Sequence, residues 1–87
     1  EKLRMVEQAE DFLADQGFRQ VRVRIHGVDL ARLEVAPEQQ EKLLSLSESV
    51  TEALRQIGFT YVTMDLKGYR TGSMNEILKD EEKNISN

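Results

Sequence analysis

Arg22 and Arg24 stand two apart in a stretch that alternates strictly between apolar and polar residues, Val21, Val23 and Ile25 against Arg22, Arg24 and His26. In an extended strand that spacing sends both guanidinium stems to one face, about 6.6 Å apart. Two planar forks on a rigid strand suit the two sides of one phosphate or carboxylate. The same residues also suit a cross-strand charge ladder, with Arg24 facing Asp65 and Arg22 or Arg32 facing Glu34. From the pattern alone the ladder outweighs the anion site. Arg70 lies between Gly68 and Gly72, just before Ser73-Met74-Asn75-Glu76, which fits the S-x-x-E capping box of a short helix. Free N–H groups at such a start favour an anion, and a neighbouring arginine reinforces them. A solvent-exposed arginine before an ordinary capped helix is an equal reading. Glu10 is one of five acids in residues 1–17, and His26, beside Gly27, reads as a turn residue. The sequence carries no catalytic triad, metal-ligand cluster or phosphate-binding glycine loop, and its 87 residues include no cysteine. No catalytic residue and no metal ligand is therefore assigned within this chain, and a sulfur nucleophile would have to come from elsewhere.

The elements that must position these residues follow from periodicity. Met5, Val6, Ala9, Phe12 and Leu13 mark one face of a helix over 2–16, stopped by Gly17. A strand over 20–26, a turn at Gly27-Val28-Asp29 and a returning strand at Ala31, Leu33 and Val35 predict an antiparallel hairpin. Pro37 opens a second helix expected to run unbroken over 37–57 to Gly58. Phe59 to Lys67 alternates again, with Val62, Met64 and Leu66 opposed to Tyr61, Thr63, Asp65 and Lys67. Helix, Gly-Phe and strand recur 41 residues apart, at Gly17-Phe18 and Gly58-Phe59. The expected architecture is a single α+β domain over 1–87. It has a three-stranded sheet with a split β-α-β and strand order 2-1-3, the third strand parallel to the second. Two main helices cover the Val21/Leu33/Met64 face, a short C-terminal helix runs through Leu78, and 79–87 form a tail. The opposite face, carrying Arg22, Arg24, Arg32, Glu34, Tyr61, Thr63 and Asp65, then meets water, a ligand or another domain.

Composition narrows the function. A net charge of −4 argues against bulk electrostatic binding of nucleic acid, and no aromatic-basic RNA-binding signature is present. Charge is uneven, however: residues 1–17 are acidic, while 18–35 hold Arg19, Arg22, Arg24 and Arg32 against Asp29 and Glu34. No apolar run approaches the ~20 residues of a membrane span, and no signal peptide pattern opens the chain. The expectation is a cytoplasmic protein of which this chain, beginning without methionine inside a helical pattern, is one part.

The residues Arg22-Val23-Arg24 with His26-Gly27, Asp29 to Val35, Gly58-Phe59 with Tyr61 to Leu66, and above all Gly68-Tyr69-Arg70-Thr71-Gly72-Ser73-Met74-Asn75-Glu76 carry a family pattern over about 2–78. The chain resembles the C-terminal domain of the ATP-dependent sacrificial sulfur transferases of the PP-loop superfamily, also called ExsB-like. The resemblance implies an N-terminal PP-loop ATPase domain, holding ATP and magnesium, that adenylylates a carboxylate of a phosphorylated pyridinium nucleotide in nickel-pincer cofactor biosynthesis. Sulfur transfer follows, in some members from the enzyme's own cysteine. It further implies that the C-terminal domain packs on its own ATPase domain and supplies a phosphate site matched here by Arg22, Arg24 and Arg70, with Glu10 as an acidic helix residue near it. A homo-oligomer is expected. The competing readings are a structural oligomerisation module without catalytic role and a tRNA-binding accessory domain, the latter disfavoured by the acidic balance.

Overall fold

The computed structural model describes residues 1–70. The expected capping box at Ser73, the short C-terminal helix and the 79–87 tail lie outside the described residues. Helix α1 (Lys2–Asp15) leads into strand β1 (Val21–His26), which turns back as β2 (Leu30–Val35). A 3-10 turn (Pro37–Gln39), helices α2 (Gln40–Ser45) and α3 (Ser47–Ile57) and strand β3 (Tyr61–Met64) follow. No helix among the described residues is long and apolar enough to cross a membrane.

The repeated Gly-Phe has a geometric cause. At the end of α1, Gly17 takes φ +101°, its N–H donates to the Ala14 carbonyl, and the Phe18 N–H reaches back to the Leu13 carbonyl at 3.2 Å. Phe59 donates to the Leu54 carbonyl at 3.0 Å in the same way after Gly58. Each left-handed stop satisfies the orphan carbonyls of a last turn and turns a phenylalanine into the core. Phe18 and Phe59 are both buried.

The sheet is mixed, as expected: β1 pairs with β2 antiparallel and β2 with β3 parallel. Its strand order is β1-β2-β3, so β2 rather than β1 is central, which corrects the expected order 2-1-3 and the split β-α-β. The edge of β1 that the expected order gave to β3 is used by α1. There the Val23 N–H donates to the Glu10 carboxylate at 2.9 Å. The crossover through α2 and α3 therefore sets β3 directly beside β2, the economical connection between consecutive parallel strands. The 37–57 helix is also divided. Leu46 leaves helical geometry at φ −104°, ψ 17°, and the flanking Ser45 and Ser49 hydroxyls donate to the carbonyls of Lys42 and Leu46. Short hydroxyl side chains that bond local backbone compete with a continuous helix.

Helices α1 and α3, joined by Leu43 of α2, pack on one sheet face, where Ala9, Leu13, Leu43, Val50 and Leu54 meet Val23, Ala31, Leu33 and Val35, with Val21 and Met64 at the margin. The alternation of each strand sends its remaining side chains to the other face.

Candidate functional site

That other face brings together the arginines singled out by spacing. The register sets Arg22 opposite Glu34, Arg24 opposite Arg32, and Arg32 beside Thr63. Two like charges directly across a strand pair repel unless an acid lies between them. Glu34 supplies it: its Oε2 is 3.0 Å from Arg32 Nη2 and 3.7 Å from Arg24 Nε. Glu34 is 3% exposed, while the Arg24 and Arg32 side chains remain about a third exposed at 35% and 34%. The expected Arg24–Asp65 contact is replaced by these pairs, because the central β2 separates β1 from β3. Asp65 meets Arg32 instead, Oδ2 to Nε at 3.6 Å.

Arg70 reaches the same face through a short, chemically specified turn. The Asp65 N–H donates to the Leu33 carbonyl, continuing the sheet by one residue, and Asp65 Oδ1 accepts the Lys67 N–H at 2.9 Å. An aspartate that bonds backbone two residues on is a natural turn former. Gly68 closes the turn with φ +84°, its N–H donating to the Asp65 carbonyl, and the Tyr69 N–H then donates to the Val35 carbonyl at 2.7 Å. Any Cβ on Gly68 would sit 2.5 Å from that same Val35 oxygen, so the close approach demands glycine. Arg70 Nη1 lies 4.0 Å from Asp65 Oδ1 and donates to the Gly68 carbonyl at 3.3 Å. The Tyr69 ring lies under Arg22, whose Cζ is 5.8 Å from the ring centroid. A cation over an aromatic face is held without losing its charge.

Four guanidiniums thus share the face with two carboxylates, a surplus of two positive charges on a chain of net charge −4. Such an array can hold a multivalent anion through charge-assisted hydrogen bonds. Of the sequence-selected residues, Arg22, Arg24 and Arg70 come together. Glu10 is placed at the outer edge of β1, its carboxylate on the N–H of the residue between Arg22 and Arg24. Arg32, Glu34, Asp65 and Tyr69 complete the array; strand alternation puts Arg32, Glu34 and Asp65 on this face, but only the register reveals who meets whom. His26 ends β1, two residues beyond Arg24 on the same face, and is exposed.

Open clefts among the described residues lie elsewhere. One of about 360 Å³ is lined by Arg19, Gln20, Ala36, Glu38 and Gln39, and one of about 610 Å³ lies along Ser45–Ser49. Neither includes the arginines of the sheet, and their lining lacks convergent charge, so the arginine face is the better candidate site. Among the described residues, no group of three or more His, Asp or Glu is placed to hold a metal ion.

No family model matches the chain. The chain is 44% identical over 81 residues to an uncharacterized protein of Synechocystis, an alignment that takes in 90% of this chain and 30% of the relative. It is 43% identical over 70 residues to the pyridinium-3,5-bisthiocarboxylic acid mononucleotide synthase of Lactiplantibacillus plantarum, across 80% of this chain and 25% of that protein. The chain thus spans less than a third of the length of these relatives.

Proposed function

We propose that this chain is the substrate-phosphate-binding and assembly domain of an ATP-dependent sulfur transferase acting in nickel-pincer cofactor biosynthesis. The observation that carries the reading is the convergence of Arg22, Arg24, Arg32 and Arg70 on one sheet face with a surplus of positive charge. The name of the Lactiplantibacillus relative supports it, since a mononucleotide carries the phosphate that such a face would hold. In this reading Arg22 and Arg24, on a strand, and Arg70, on the Gly68 turn, bind the phosphate. Glu10 fixes the strand backbone between the two strand arginines. The polar face packs on an ATPase domain of the same protein, of PP-loop type, which binds ATP and magnesium and adenylylates a pyridinium carboxylate for sulfur insertion. The sulfur comes from outside these 87 residues, which contain no cysteine.

The test is the R22A/R70A double variant of the full-length protein. Charge-assisted hydrogen bonds are worth about 1.5–3 kcal/mol each, so losing even one raises KM for the mononucleotide substrate ~10-fold or more. Thermal unfolding stays near that of wild type, because Arg22 is exposed and Arg70 lies at the edge of the array. Unchanged kinetics in the double variant would refute the phosphate role.

A further inference from the structure

Glu34 stands apart on the polar face. It is the only buried charged side chain among the described residues, at 3% exposed, on a face whose arginines keep about a third of their surface. A carboxylate withdrawn that far from water is tolerated when cations and donors surround it. Its direct cross-strand neighbour is Arg22, yet Oε2 turns to Arg32 Nη2 at 3.0 Å and Arg24 Nε at 3.7 Å. One oxygen therefore gathers a guanidinium from each of two strands, from beneath, while both keep an outward, solvent-facing part.

We propose that Glu34 is the positioning residue of the anion site, fixing Arg24 and Arg32 so that their outer edges face an incoming phosphate. This rests on the phosphate-binding reading of the arginine face and adds a residue of the wrong charge to it. An arginine has many rotamers, and a site that must order two of them on binding loses affinity to that ordering. Glu34 moves the ordering into folding. The assignment predicts a counterintuitive sign. By charge alone, removing a negative group beneath a cationic site tightens anion binding; if Glu34 positions the arginines, removing it weakens binding.

The experiment is calorimetric titration of the full-length protein with inorganic phosphate at fixed ionic strength, for wild type, E34Q, E34D and R22A/R70A. E34Q removes the charge at nearly constant shape; E34D keeps the charge but withdraws it by ~1.5 Å, one carbon–carbon bond. The expected result is a ~10-fold weaker Kd in both Glu34 variants, with KM for the nucleotide substrate rising in parallel and kcat unchanged. Unchanged or tighter phosphate binding in E34D overturns the assignment, and E34D decides the matter if E34Q fails to fold. A loss in R22A/R70A with none in E34D overturns only the role of Glu34. Undiminished binding in R22A/R70A overturns the arginine-face reading itself.

Discussion

Gly68→Ala tests whether the turn that delivers Tyr69 and Arg70 to the sheet is held as tightly as its geometry implies. The backbone there has φ +84°, and an alanine Cβ would lie 2.5 Å from the Val35 carbonyl oxygen and 2.8 Å from Gln40 Nε2. Gln40 is the end of a flexible side chain and can move, though at the loss of its 3.0 Å bond to the Leu66 carbonyl. The Val35 oxygen cannot, since it belongs to the central strand and accepts the Tyr69 N–H at 2.7 Å. Left-handed backbone costs an alanine ~1–2 kcal/mol, and losing the exposed Gln40–Leu66 hydrogen bond costs up to ~1 kcal/mol more. The sum is about 2–3 kcal/mol for a turn that stays docked. Gly27→Ala is the matched control: φ is +62°, and nothing lies within 4 Å of its Cβ, so only the backbone contribution of ~1–2 kcal/mol remains. Urea unfolding followed by circular dichroism gives both losses, and amide exchange reports where they fall. G68A is expected to exceed G27A by ~1 kcal/mol and to accelerate exchange of the Tyr69 amide selectively while leaving the Leu54 amide protected. Equal losses in the two variants, with the Tyr69 amide still protected in G68A, would refute the argument that the close approach to Val35 determines this turn.

Two further perturbations address the strand edge and the core. Glu10→Ala removes the acceptor of the outward Val23 N–H; the expected loss is ~1–2 kcal/mol, at the lower end for a charge-assisted bond because Glu10 is only half-buried, and the Val23 amide should exchange faster while Arg24-side amides facing β2 do not. Leu54→Ala empties a side chain that is 0% exposed between α3 and the sheet, for an expected loss of ~3 kcal/mol, read as a lower unfolding midpoint; a change below ~1 kcal/mol would place Leu54 outside the core.

What the sequence made legible was the part governed by local rules. Alternation separates Val21, Val23 and Ile25 from Arg22 and Arg24 wherever the strand ends up in the sheet, so the two faces and the grouping of the arginines survive a wrong strand order. Gly17 and Gly58 likewise end their helices by backbone chemistry that needs no partner. The order of strands is not local: it depends on which edge of the hairpin is open, and the outer β1 edge is the one where the Glu10 carboxylate of α1 accepts the Val23 N–H. From spacing, Glu10 is one of five acids in residues 1–17, and nothing in its sequence neighbours distinguishes it. The same limit hid Glu34. Its position on the polar face followed from period two, but its burial follows from the register, which sets Arg24 opposite Arg32 and leaves an acid two residues along β2 to separate them. A charge ladder and an anion site were competing readings of these residues; the register joins them, since the buried acid of the ladder is what would hold two cations of the site in place.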